Sequence, residues 1–294
     1  MKIQNIGLMS PGDMGQAIAQ QLKQNGFNLH TALDKRSART KALAQQAGVA
    51  DVGSITKLTE QCELIVSVMD PAAASGFADE VARALTVNRR NLVFVECNPL
   101  APESKHAISK KITAAGGRFI DGGIIGTPPR GKGKVCLYFS GPEARELEQF
   151  ETPAMKVRVL SERIGDASSI KICYGAMTKG VVALMLELLI VARRLGVEEA
   201  LETQLKETQS AIYDKVVDSL PRTMPKAYRW APEMLEIART FESAGLTRRM
   251  FEGAYDMYEF IAATKLGKET PEEGRGKPRS GKDVVNMLAD ERGS

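Results

Sequence analysis

Hydrophobic residues fall along the first half of the chain in short, nearly unbroken runs: KIQNIGLM at the start, then NLHTAL, LIVSVM and LVFVECN. Stretches with one apolar face separate them, among them ARTKALAQQAG and FADEVARAL. A strand that is apolar at nearly every position is buried on both sides, which parallel sheets achieve by laying crossover helices on each face. The alternation therefore predicts an α/β fold built on a doubly wound parallel sheet. RFIDGGIIGTP, KVCLYFSG and, near 156–161, KVRVLS add further strands.

From about Ser168 the period of 2 gives way to 3.6. SSIKICYGAMTKGVVALMLELLIVARRLG runs without proline to Gly196, a fitting C-cap, and predicts one long, largely buried helix. Further helices are expected at 197–219, 228–244, 246–265 and 281–291. The stretch 267–282, GKETPEEGRGKPRSGK, is rich in glycine, proline and charge and reads as a mobile loop or tail.

Composition narrows the chemistry. The net charge is +4, and Lys and Arg are spread along the chain with no basic block or aromatic interleaving. No nucleic-acid partner is expected. The longest apolar run, Gly180–Ala192, is short for a bilayer and carries Glu187, so no membrane span is expected either. Four cysteines (Cys62, Cys97, Cys136, Cys173) lie far apart and form no C-x-x-C pair, which favours a reducing, cytoplasmic setting. With only His30 and His106, a histidine zinc site or a Ser-His-Asp triad has almost no material, and no metal is expected. Chemistry must rest on Lys, Asn, Tyr, carboxylates or a bound cofactor.

NIGLMSPGDMGQAIAQQL, Asn5–Leu22, joins a buried strand to an amphipathic helix through a glycine turn. Helix N-terminal N–H groups bind anions, and glycine lets a pyrophosphate approach the main chain. Gly12, Asp13, Met14 and Gly15 stand where the helix starts, and Gly7 is expected to close the strand. Met9, Ser10 and Pro11 widen the loop beyond G-x-G-x-x-G and are expected to bulge toward solvent or the adenine side. A tight turn explains the glycines equally well without a ligand. After the second strand, Asp34 suits a free ribose 2′-hydroxyl, whereas Lys35, Arg36, Ser37 and Arg39 suit a 2′-phosphate. NADP is favoured slightly over NAD. Residues 1–164 are thus expected to form a Rossmann-type NAD(P)-binding domain, and 165–294 an all-helical domain for substrate binding and dimerisation.

The set IGL…GDMGQAIAQQL, VSVMDP, VECNPLAP, FIDGGIIG and GDASSIKICYGAMTKG resembles the β-hydroxyacid dehydrogenase and 6-phosphogluconate dehydrogenase superfamily. It is similar to the branch whose C-terminal domain is of unknown function. The resemblance implies Lys171 as the catalytic acid/base, six residues after Gly165, with Ala167 replacing a glycine of the family pattern. Such a lysine takes the hydroxyl proton as hydride leaves the carbinol carbon. It also implies that Val68, Met69 and Asp70 pass under the cofactor, that Asn98 lies beside the nicotinamide, and that Gly122 and Gly123 offer N–H groups to substrate. Asp70 could equally cap the next helix, and Asn98 is also a common turn former.

Departures from the pattern bear on substrate. Gly175 stands where the family has a hydroxyl-binding asparagine, and Tyr174 or Lys179 could compensate. Ile125 replaces a carboxylate-binding serine, for which Arg130 is a weak substitute. The family's late Lys-Asp pair falls on Pro232 and Glu233, leaving Glu233 as a cleft residue or a helix N-terminal acid; Trp230 beside it reads as core. The leading reading is an NAD(P)-dependent enzyme oxidising or reducing a small hydroxy acid-like substrate. An imine reductase and a non-catalytic dinucleotide-binding protein are the alternatives. A homodimer through the helical domain is expected.

Overall fold

The computed structural model describes residues 3–34 and 36–291, so Lys35 lies outside the described residues. Strands and helices alternate from the start: β1 (Asn5–Met9), α1 (Asp13–Gln24), β2 (Asn28–Thr31), α2 (Ala38–Ala47), β3 (Ala50–Asp51), α3 (Ile55–Gln61), β4 (Leu64–Ser67), α4 (Pro71–Asn88), β5 (Val93–Glu96) and α5 (Pro102–Ala114). Then β6 (Arg118–Gly126), β7 (Val135–Ser140) and β8 (Met155–Ser161) complete a sheet of order β3-β2-β1-β4-β5-β6-β7-β8. The fold is Rossmann-like, with the chain reversing its winding between β1 and β4. One pair departs from the expected parallel pattern: β7 runs antiparallel to β6, because the short loop between them has no room for a crossover helix.

Period 2 sorts each strand's side chains onto two cores. Leu64, Val66, Val93 and Val95 face one side with Ile18 and Leu22 of α1. Ile65 and Phe94 face the other, against Phe77 of α4 and Ile108 of α5. Phe94 packs between Phe77 and Phe119, with ring centroids 5.7 and 6.3 Å away. Gly7 lies inside β1, paired with His30 and Ile65, rather than closing the strand. A Cβ there would come within 2.9 Å of Ile65 and 3.1 Å of Leu58, so packing alone requires glycine.

By its internal contacts the chain divides into Met1–Ile172 and Cys173–Ser294. The division falls within α6 (Asp166–Arg194), a helix of 29 residues. By length and composition alone it could cross a bilayer, yet half of its most apolar window is buried in protein, as in the core helix of a folded domain. The second unit continues with α7 (Glu198–Thr223), α8 (Ala227–Ser243), α9 (Arg249–Ala263), α10 (Pro271–Gly276) and α11 (Gly281–Asp290). Trp230 and Phe241 of α8 pack on Tyr258 and Phe251 of α9.

The stretch 267–282 is not the mobile tail its composition suggests. Thr270 and Glu273 form a capping box on α10, and Ser280 and Asp283 form another on α11. Glu269 binds both Lys277 (2.7 Å) and Arg279, closing the segment on itself.

Candidate active site

The glycine turn sits at the C-terminal end of β1. Gly12 is the N-cap of α1, and among the described residues no side chain caps it. The first N–H groups of α1 therefore face outward without an intrahelical partner. The two glycines differ in purpose. A Cβ on Gly15 would strike the backbone oxygen of Ser10, so close packing of turn on helix demands glycine; a Cβ on Gly12 would meet nothing within 4 Å. The open space beside Gly12 and the uncapped donors fit a pyrophosphate.

The Met9–Ser10–Pro11 insertion does not bulge into solvent. Ser10 N donates to Val68 O (2.8 Å), Val68 N donates to Met9 O, and Thr31 Oγ1 donates to the Met9 sulfur (3.3 Å). The loop is thus tied to the end of β4, with Met9 and Pro11 buried. Met9 also lines a groove of about 720 Å³ together with Ala32, Asp34, Arg36, Glu80 and Arg83. This groove receives the end of β2, where an adenosine ribose lies in this fold. Ser37 instead caps α2 by accepting from Thr40 N (3.2 Å). Asp13 pairs with Arg39 (3.4 Å) and Arg130 (3.5 Å), which occupies Arg130 at the turn.

At the ends of β4 and β5 the side chain of Asn98 is buried and engaged by protein. Its Oδ1 accepts from Met69 N (2.6 Å) and its Nδ2 donates to Ser67 Oγ (2.9 Å). Asp70 caps α4 by accepting from Ala72 N (3.0 Å). Beneath them lies a fully buried charged group. Lys105 Nζ stands 3.2 Å from Asp121 Oδ1 and donates to the carbonyls of Glu96 (2.5 Å) and Gly122 (3.0 Å). Burial pushes the Glu96 carboxyl above its ordinary range against the pull of Lys105. Burial likewise pushes the Cys97 thiol up, so it stays protonated and unreactive.

Asp121 Oδ2 accepts from Gly165 N (3.0 Å), Ser168 N (2.9 Å), Ser168 Oγ (3.0 Å) and Ser140 Oγ (3.2 Å). Ser140 Oγ in turn accepts from Ala167 N (3.0 Å). The start of α6 is thereby capped from β6 and β7, and Lys171 follows one turn later. A Cβ on Gly123 would strike the backbone oxygen of Ala167 and come within 3.1 Å of the Lys171 Cβ, so this glycine lets the first turns of α6, Lys171 among them, approach the strand.

The second unit has its own ionic cluster. Lys179 Nζ lies 2.5 Å from Glu233 Oε1, both largely buried, and 5.5 Å from the centroid of Trp230. Tyr258 OH donates to Lys179 O (2.7 Å), and burial, aided by Glu233, pushes its phenol well above the usual range. Glu233 lies inside α8, not at its N-terminus, and its partner is Lys179 rather than the helix dipole. It fills the space over Gly175, whose Cβ would sit 3.2 Å from Oε1. Trp230 is half-buried against Tyr258, and Tyr174 is 47% exposed.

A model of the NAD binding domain of 6-phosphogluconate dehydrogenase matches residues 2–152. The chain belongs to the 6-phosphogluconate dehydrogenase-like NAD-binding family. A second model, a domain of unknown function (DUF1932), matches residues 192–261. The chain is 26% identical over 257 residues to the uncharacterized 28.5 kDa protein in the 7S RNA 5′ region of Methanothermus fervidus, covering 87% of this chain and 98% of that one. It is 23% identical over 255 residues to the mitochondrial 3-hydroxyisobutyrate dehydrogenase of Drosophila melanogaster, covering 83% and 75%. The solved 3-hydroxyisobutyrate dehydrogenase of Mycobacterium tuberculosis shares the fold with a TM-score of 0.69 at 15% identity, covering 93% and 98%.

In this member of the 6-phosphogluconate dehydrogenase-like family, the structure gathers Gly12, Asp13 and Met14 at the turn and Asp34 and Arg36 at the groove. Met69 and Asn98 meet at the strand ends, and Gly123 and Lys171 meet where β6 receives α6, whereas Gly122 faces Cys97 and Glu96 instead. Tyr174, Lys179 and Glu233 belong to the second unit. Sequence reasoning missed Arg83, Lys105 and Ser168. Arg83 and Lys105 look like ordinary helix cations, and only the fold brings one to the groove and buries the other. Asp121, at the head of the DGG segment, was the one available signal.

Proposed function

We propose that this family member is an NAD(P)-dependent oxidoreductase acting on the CH–OH group of a small hydroxy acid, with Lys171 exchanging the hydroxyl proton. The observation that carries the reading is the join between β6 and α6. Asp121 caps the helix, Gly123 leaves room, and Lys171 lies one turn on, within the same unit as the open glycine turn. A nicotinamide dinucleotide bound at that turn supplies the hydride acceptor or donor. The chain's own part is to bind and orient it. The first turn of α1 receives the diphosphate, the groove with Asp34, Arg36 and Arg83 takes the adenosine end, and Lys171 accepts or returns the proton. Arg36 and Arg83 together support NADPH over NADH, since two guanidiniums suit a 2′-phosphate. The names of the Drosophila and Mycobacterium relatives support a short hydroxy acid as substrate class.

On α6 the exposed Met177, Leu184 and Val191 recur every seventh residue. That stripe supports a homodimer formed through the helical unit, which sedimentation would read directly. Four free cysteines fit the expected reducing, cytoplasmic setting.

The test is a titration with NADPH and NADH, followed by nicotinamide fluorescence, and then a screen of 3-hydroxyisobutyrate and other short 2- and 3-hydroxy acids. Wild type binds, Gly12→Asp binds on the order of tenfold or more weakly, and Lys171→Met binds as wild type but loses roughly 10²–10⁴-fold in turnover. Turnover of a ketone plus amine with no turnover of hydroxy acids would move the protein to the imine reductases. Binding without any turnover would make it a dinucleotide-binding protein, and no binding at all would overturn the reading.

A further inference from the structure

Lys105 and Asp121 are completely buried, and burying such a pair is a poor route to stability. Apolar residues of the same size usually serve as well or better, because desolvation cancels most of the attraction. What the pair does hold is position. Asp121 and Gly123 are two residues apart and so point to the same face of β6. Ser168 and Lys171 are three apart and so neighbour each other on α6. Asp121 grips Ser168 twice, through N and Oγ, while Gly123 abuts Lys171, which fixes strand and helix in register at two successive points. Lys105 stretches the same constraint toward β5, through the carbonyls of Glu96 and Gly122. The Glu96 carboxylate accepts from Asn98 N (2.7 Å), and Asn98 holds Met69. One continuous set of bonds runs from the loop after β4 to the first turns of α6.

We propose that Lys105 and Asp121 are positioning residues that hold Lys171 in register with the ends of β4 and β5. Lys105 fixes the Asp121 carboxylate, and Asp121 fixes the helix start by satisfying N–H groups that would otherwise lack partners. This inference rests on Lys171 being the proton-transfer group.

The double variant Lys105→Met/Asp121→Asn separates position from stability. It removes both charges of the pair at once, so neither is left buried without the other and the local net charge is unchanged. Lys171 reactivity is read by trinitrophenylation with peptide mass spectrometry, using exposed Lys57 as the internal reference. The double variant is expected to melt close to wild type, while Lys171 reacts several-fold faster relative to Lys57. With any hydroxy acid found to turn over, kcat should fall about a hundredfold with KM unchanged. A wild-type melting temperature together with a wild-type Lys171 rate would overturn the proposal. Should the double variant not fold, Ser168→Ala, which removes one donor to Asp121, carries the test. Lys171 reactivity should rise in the same direction by a smaller factor, and no change would again overturn it. The labelling needs neither cofactor nor substrate, so it stands apart from any failure of the proposed activity.

Discussion

Two helices of the first unit begin at the sheet, and their N-termini are treated in opposite ways. α1 follows its N-cap Gly12 with, among the described residues, no side chain to receive its first N–H groups. α6 starts with Gly165, Ala167 and Ser168 N–H groups all answered by Asp121 and Ser140. Both ends carry the same partial positive charge. One is left open for an anion from outside, and the other is filled by an anion of the protein's own, with a buried lysine behind it. A helix start can thus be a binding site or a fixture, and the side chains in front of it decide which.

The contrast breaks most visibly at the filled end. Asp121→Ala leaves Lys105 without its counter-charge and the N–H groups of Gly165 and Ser168 without their acceptor, so thermal or urea unfolding should show a loss of about 3–5 kcal/mol. The corresponding change at the open end should leave folding alone. Gly12→Asp enters free space at φ −76°, so it should melt as wild type while lowering dinucleotide affinity on the order of tenfold or more in a fluorescence titration. Gly15→Ala sharpens the difference, because its methyl group meets Ser10 O; destabilisation of about 1–3 kcal/mol should accompany any loss of binding.

The smallest effect is a pH dependence. Burial raises the Glu96 carboxyl, despite Lys105 nearby, so the folded state holds that proton more tightly than the unfolded chain. The resulting stability is complete below the ordinary carboxylate pKa and is lost as pH rises through the raised folded value. Glu96→Gln should therefore match wild type in melting temperature at acidic pH and lie above it as pH increases. An unchanged pH profile would show that Glu96 is ionised throughout.

The central strands were legible because burial on both faces leaves an apolar run that needs no partner to be recognised. β3 was not, since Ala50 and Asp51 are exposed and give no apolar run. The glycine turn was legible as a motif, yet which glycine is required by packing and which faces open space depended on the position of Ser10 O. Lys171 was named only through the family resemblance, whose pattern places a lysine six residues after the glycine at Gly165. Lys105 carried no signal at all, because its burial is created by the carbonyls of Glu96 and Gly122, which lie on two different strands. Composition misled most at 267–282, where glycine and proline outweighed two capping boxes that were written in the sequence as Thr270–Glu273 and Ser280–Asp283.

That last segment decides where the chain can be cut. A truncation at Gly267 would look harmless, as the removal of a charged appendage. It would in fact strip away Val284, Val285 and Leu288, which are all buried, and uncover Val217 of α7, against which Gly281 is packed. At roughly 1.5–3 kcal/mol for each buried aliphatic side chain, the loss is comparable to the whole stability of an ordinary domain. The Glu269 clasp to Lys277 and Arg279 also ties down a stretch whose composition invites trypsin. Limited digestion should therefore leave the C-terminal helix attached long after looser surface loops have been nicked.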